Sequence, residues 1–173
     1  MESIIKKFDI NEIWHFTDFS NLDSINQNGG LFSLAGLTQR ELTISKPGGN
    51  EWSHSADRVK GVDSFIHLAF IKNHPMQYIA HNDGRHPNPI WLRINAKILL
   101  ENTTRFCCDV SNKSGVQILN SEEAKEQIDF EVLFKRLDWQ DPSVYSRRQM
   151  AEKSEILVPN YIPLNMIRDY CNG

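Results

Sequence analysis

No apolar run in the chain is long enough to span a bilayer, and the opening stretch Met1-Glu-Ser-Ile-Ile-Lys-Lys7 lacks the hydrophobic segment of a secretory leader. No membrane partner is therefore expected, and the expected location is the cytoplasm. Cysteine is scarce. Cys107 and Cys108 are adjacent, Cys171 lies near the end, and no Cys-x-x-Cys or Cys/His spacing suits zinc. The six histidines are scattered, and neither His67 to His74 nor His81 to His86 puts two ligands on one helix face, so no metal is expected. Positive charge is not in excess: 19 Lys and Arg against 22 Asp and Glu leave a formal net charge of -3. That excludes a globally basic nucleic-acid binder and leaves room only for local patches. Also missing are internal repeats, low-complexity tracts and linkers, a dinucleotide Gly-x-Gly-x-x-Gly, a Walker loop, a Gly-x-Ser-x-Gly elbow and His-Glu-x-x-His.

What is present reads as one domain over residues 1–173, enough chain for a sizeable core. Glu12-Ile-Trp-His-Phe-Thr-Asp18 alternates, with Ile13, His15 and Thr17 on one face and Trp14 and Phe16 on the other, as a strand does. Ser20-Asn-Leu-Asp23 reads as a helix start capped by Ser20, and Gly29-Gly30 ends that helix. From Ala35 to Gly61 the signal is weak: a helix over Leu37 to Leu42, then the breaker cluster Lys46-Pro-Gly-Gly-Asn50 in a long polar loop suited to cover a ligand. Asp63 to Phe70 is a second strand, with Phe65, His67 and Ala69 on one face, and Pro75 to His81 reads as a helix. Strands follow at Pro89 to Ile94 and Thr104 to Val110. Glu122 to Phe134 has helical composition with a competing strand alternation, and one helical turn is expected at Pro163 to Ile167. Strands and short helices interspersed without regular alternation indicate an α+β fold.

The stretch Met150-Ala-Glu-Lys-Ser-Glu-Ile-Leu-Val-Pro159 joins a charged helical pattern to a short apolar strand stopped by proline. Glu155 falls at the strand's first position, where stiff backbone can hold a carboxylate toward a cleft. A solvent-facing gatekeeper is the competing reading of that position.

Three ordered motifs resemble one family. His15-Phe-Thr-x-x-x-Asn21-Leu-x-x-Ile25 with Gly29-Gly-Leu31, the Phe-Ile-His-Leu-Ala-Phe strand followed by His74-Pro-Met-x-Tyr78, and Ser154-Glu-Ile-Leu-Val-Pro159 with Ile162-Pro-Leu-x-x-Ile167 look like the DarT family of nucleic-acid ADP-ribosyltransferase toxins. The resemblance implies an ADP-ribosyltransferase core built on a split mixed or antiparallel sheet, with NAD+ as co-substrate in the cleft and a nucleic-acid base as acceptor. Single-stranded DNA is favoured, with RNA as the other choice. It further implies a toxin of a toxin-antitoxin or phage-defence system, held by a cognate antitoxin. By matching position, His15 and Thr17 would contact NAD+ on its ribose and nicotinamide side, Asn21 would help hold the dinucleotide, and Glu155 would be catalytic. The family's arginine matches Arg58, beside the middle strand, with Arg40 as competitor.

Register separates Glu155 from Glu152: only Glu155 is followed by Ile-Leu-Val-Pro, whereas Glu152 belongs to the preceding helix. Glycosidic cleavage develops oxocarbenium-like charge, which a carboxylate stabilises before serving as base, and an arginine would clamp the pyrophosphate or help orient the acceptor. Arg147-Arg148, Lys153 and Lys135-Arg136 with Trp139 offer a basic and aromatic surface for nucleic acid. The alternative from another class is a catalytically silent module that binds nucleic acid or protein on the same fold.

Overall fold

The structure, a computed structural model, describes all residues except 75, 76, 78–81, 83, 85 and 173. A six-stranded sheet carries the site. Its strands are β1 (Glu12–Asp18), β3 (Phe65–Ala69), β4 (Pro89–Asn95), β5 (Arg105–Cys107), β6 (Glu155–Pro159) and β8 (Ile167–Asn172), in the order β5-β6-β3-β1-β4-β8. A separate pair joins β2 (Gly30–Phe32) to β7 (Tyr161–Pro163). Every strand pairing is antiparallel, so the α+β expectation holds with the antiparallel form of the split sheet.

Alternation decides the faces. Ile13 of β1, Ile66 and Leu68 of β3, Ile90, Leu92 and Ile94 of β4, and Ile156 and Val158 of β6 are all buried in one core. Each such burial contributes on the order of 1.5–3 kcal/mol. On that core pack α1 (Glu2–Phe8), α5 (Ser121–Gln127), α6 (Phe130–Phe134) and α7 (Pro142–Ala151), through residues including Phe8, Ala124, Phe130, Val144 and Ala151. The residues between, Trp14, Ala69 and Trp91, form a smaller cluster on the opposite face.

Local chemistry moved several expected boundaries. Asp18, not Ser20, caps the turn after β1: its carboxylate accepts from the Ser20 N–H and Oγ–H, and from the Asn88 N–H, which ties two chain segments together. A 3-10 turn over Phe19–Asn21 leads into α2 (Leu22–Gln27). The helix expected over Leu37 to Leu42 lies three residues earlier as α3 (Leu34–Gln39), capped by Ser33, and the stretch after it, expected to be irregular, holds a second helix, α4 (Glu51–Lys60), capped by Asn50. Helix α4 gave no periodic signal because its large apolar residues, Trp52 and Val59, are 75% and 90% exposed. Residues 122–134 resolve as helix, split in two where the Asp129 carboxylate caps α6. The helix expected at residues 75–81 falls largely outside the described residues.

Gly30 is required where it stands. A Cβ there would lie 2.1 Å from the Ile162 carbonyl oxygen, so only glycine lets β2 close on β7.

Candidate active site

Strand β1 runs against β4 over seven register pairs, Glu12↔Asn95 to Asp18↔Pro89, but meets β3 at Trp14↔Ala69. Beyond Trp14 the two strands separate, and the gap is a cleft of about 220 Å3 reached by side chains of both sheet faces. His15 spans the gap. Its Nδ1 lies 3.0 Å from the His67 carbonyl, which can only accept, so Nδ1 carries the hydrogen and donates. The imidazole thus replaces a ladder bond that the parted strands no longer make. Burial pushes the His15 pKa down to about 4, against the pull of the His67 carbonyl, with help from the nearby rings of His67 and His86. His15 is therefore neutral at pH 7, with Nε2 as an acceptor.

Glu155 opens β6 opposite Ala69 on β3 and Cys107 on β5, and only 5% of it is exposed. Its Oε2 accepts from the Ser111 N–H at 3.1 Å and lies 3.1 Å from His67 Nδ1; Oε1 lies 3.7 Å from His74 Nε2. Burial works to raise the Glu155 pKa, yet its bond to His67, the charges of His67 and His74, and the Ser111 bond hold it below the ordinary 4.5. Burial likewise works against a charged His67, but Glu155, Asp57 and the Val62 carbonyl raise its pKa above the usual 6.5. The His67 side chain is 32% exposed toward the cleft, so water there moderates the burial penalty. For His74 burial prevails and its pKa is lowered. The Cys107 thiol, buried beside Glu155, is pushed up to about 12.

The opposite wall is held by Asn21. Its Nδ2 donates to Thr17 Oγ1 at 2.9 Å and to the Lys46 carbonyl at 2.7 Å, while its Oδ1 accepts from the Lys46 N–H at 2.9 Å. The side-chain amide pairs with one backbone residue as a neighbouring strand would. It pins residues 41–50, which include the cleft-lining Ile44, Lys46, Pro47, Gly48 and Gly49, against β1.

A buried carboxylate beside an imidazole whose pKa it raises, a neutral imidazole across the gap and a pinned loop thus line one cleft. Compared with known protein families, residues 14–171 match the family described as "ssDNA thymidine ADP-ribosyltransferase, DarT". The chain belongs to the DarT family. It is thereby a member of an ADP-ribosyltransferase family, and solved DarT structures share its fold. "Thermosipho africanus DarTG in complex with ADP-ribose" aligns at TM-score 0.70 and 17% identity, covering 92% of this chain and 43% of that one. "Thermus sp. 2.9 DarT in complex with ADP-ribosylated ssDNA" aligns at 0.66 and 16%, covering 92% and 79%. The same Thermus protein in complex with NAD+ aligns at 0.61 and 18%, covering 92% and 80%. No curated protein sequence matches.

Of the residues the DarT resemblance singled out, His15, Thr17, Asn21 and Glu155 come together at one cleft. Arg58 does not line it; it is exposed on α4, whose Ser53, His54 and Asp57 do. Arg40 is nearer the rim, with its guanidinium 4.9 Å from the centre of the cleft-lining Phe32 ring. Glu152 is turned into an ion pair with Arg148 and does not line the cleft. The basic surface expected at Arg147-Arg148 is a correction. Arg147 makes a two-pronged contact with Asp129 at 2.6 and 2.9 Å and another with Glu131. Arg148 donates to the Val132 and Leu133 carbonyls and lies over Trp139. These cations are consumed in fastening α7 to α6.

Sequence reasoning passed over His67, His74 and Ser111 as site residues. A histidine amid the apolar residues of a central strand was the available signal for His67. Nothing local marked Ser111, whose N–H reaches Glu155 from a loop 44 residues away.

Proposed function

We propose that this single domain transfers ADP-ribose from NAD+ to thymidine in single-stranded DNA, with Glu155 as the catalytic carboxylate. The observation that carries the reading is Glu155 itself: buried, held ionised, and placed where the sheet splits. A carboxylate so fixed stabilises positive charge developing at the ribose carbon as the bond to nicotinamide breaks and nicotinamide leaves with the electron pair. The acceptor base supplies the pair for the new bond, and its proton passes to a carboxylate oxygen.

His15 and Thr17 are proposed to meet the nicotinamide ribose from β1. Thr17 Oγ1 already accepts from Asn21, so its own hydrogen is available to a substrate oxygen. Asn21 acts on the dinucleotide through the loop it pins. Between the two arginines, Arg58→Ala and Arg40→Ala decide: the one whose loss raises the KM for NAD+ clamps the pyrophosphate.

The DarT family description supports the DNA acceptor, and the Thermus DarT complexes support NAD+ as donor. The DarTG chain, of which this protein covers 43%, supports reading the protein as the toxin of a pair whose partner is an antitoxin. Three unpaired cysteines accord with a cytoplasmic setting, and among the described residues no helix is long and apolar enough to cross a membrane.

Incubation with labelled NAD+ and matched oligonucleotides is the test. Label should enter thymidine-containing single-stranded DNA and not a thymidine-free strand or RNA, and mass spectrometry of the recovered strand should locate it. Glu155→Gln, folded, should lose at least about a thousandfold of the rate and relieve growth arrest on expression. An intact protein that labels no nucleic acid sinks the proposal in favour of a silent binding module.

A further inference from the structure

We propose that His67 is a positioning residue that, as an imidazolium, fixes Glu155 so that one carboxylate oxygen is fully engaged by protein and only Oε1 serves the cleft. The inference rests on the catalytic reading of Glu155 and adds the group that orients it.

Hydrogen-bond accounting carries the charge state. His67 Nδ1 faces Glu155 Oε2 at 3.1 Å and Ser111 Oγ at 3.2 Å, and Nε2 faces the Val62 carbonyl at 3.3 Å. A carbonyl oxygen only accepts, so Nε2 bears a hydrogen. Glu155 is held ionised, so Oε2 can only accept, from the Ser111 N–H and from Nδ1, and Nδ1 bears a hydrogen too. With both nitrogens donating, the ring is a cation, and its two fixed acceptors set its plane.

The consequence for Glu155 is geometric. Ser111 contributes its N–H to Oε2 and its Oγ to His67 Nδ1, so carboxylate, imidazolium and Ser111 close a three-membered network. Oε2 is thereby committed. Oε1 is left with His74 at 3.7 Å as its ionisable neighbour among the described residues.

The surrounding groups leave His67 as the cation of the cluster. From β1, His15 donates to the His67 carbonyl and is held neutral; for His74, from the segment after β3, burial outweighs the pull of Glu155 and lowers the pKa. From α4, Asp57 faces His67 and accepts from Asn112 Nδ2 at 2.9 Å, adding a second negative charge that favours the imidazolium. From β5, Cys107 keeps its proton and adds no charge.

The test compares wild type with His67→Ala and His67→Asn in transfer to a thymidine-containing single-stranded oligonucleotide. Asn offers an uncharged N–H donor near the Nδ1 position. His67→Ala should lower kcat at least about tenfold while KM for NAD+ changes less than about twofold. His67→Asn should recover part of kcat and lose the alkaline fall of the wild-type rate, which marks deprotonation of His67. Independently of activity, the NMR titration of the His67 ring should lie above 6.5 in wild type and fall toward it in Glu155→Gln. Wild-type kcat in His67→Ala, an unaltered alkaline limb in His67→Asn, or a His67 titration indifferent to Glu155→Gln each overturns the proposal. A wild type that transfers nothing refutes the function instead, and the titration still decides whether His67 and Glu155 form the charged pair.

Discussion

Trp14 and Ala69 stand opposite each other as the register pair between β1 and β3, and the cleft begins immediately past them. Trp14 is buried against Ala69 and Trp91, with Phe16 alongside, so the closed end of the split is an aromatic plug. Lys72 and Arg93 lie 4.9 and 5.7 Å from its ring centre and add cation–π contacts.

Trp14→Ala should therefore cost about 3–5 kcal/mol, the range for emptying a buried aromatic site. Urea unfolding measures it. A loss below about 1 kcal/mol means the plug does not hold the strands together.

Acid should destabilise the fold through His15. Its folded pKa of about 4 lies below the ordinary 6.5, so as pH falls from 6.5 the unfolded chain takes up a proton that the folded one refuses. Stability is lost across that interval, by up to about 3 kcal/mol for a displacement of about 2.5 in pKa, less what cleft water recovers. The His67 and Glu155 pair behaves differently. The contribution of His67, with its raised pKa, is complete below 6.5 and is lost as pH rises through the folded value. That of Glu155, with its lowered pKa, is complete above 4.5 and is lost as pH falls through the folded value. Between 4.5 and 6.5 the pair is steady and His15 alone should dominate the slope among these three. Unfolding curves at several pH values in that window should show a smaller loss for His15→Gln than for wild type, and parallel losses refute the assignment.

Asn21→Ala removes three hydrogen bonds at once and should cost about 2 kcal/mol. Its sharper signature is local: the Lys46 amide, now unpaired, should exchange with solvent at least about tenfold faster. Asn21→Asp should fare no better, because a carboxylate oxygen would then face the Lys46 carbonyl where a donor stood. Unchanged exchange at Lys46 in either variant would show that the loop is held by something else.

Arg147→Ala should lower stability only slightly, since a two-pronged but 38% exposed ion pair contributes little. Affinity for single-stranded DNA, followed by fluorescence anisotropy, should not change. Weakened DNA binding without loss of stability would restore this arginine to a nucleic-acid surface.

How far the site could be read from sequence depended on how each residue is held. His15 and Thr17 sit on a strand whose alternation is plain in the sequence, Glu155 opens a short apolar run stopped by proline, and both strand assignments hold. Periodicity alone, however, puts His15 on the core face with Ile13 and Glu155 on the face opposite Ile156, so it cannot bring them to one cleft. The split between β1 and β3 does that, and a split is a property of pairing, not of any single strand. Helix α4 escaped notice because exposed Trp52 and Val59 give it no apolar stripe, and β8 because burial along it is sparse. Arg147 and Arg148 misled because a charged pair on a helix looks the same whether it faces solvent or a carboxylate 18 residues upstream.

The place of Glu155 in the sheet sets what the protein can change. Flanked by β3 on one side and β5 on the other, its backbone cannot shift without dragging two neighbouring strands. The loop at 41–50, tied to β1 through the Asn21 side chain, carries no such burden, whereas the 108–120 loop is bound to Glu155 through Ser111 and to β5 through Leu119. Drift toward a new acceptor would therefore accumulate in the 41–50 loop, with the surroundings of Glu155 inherited unchanged.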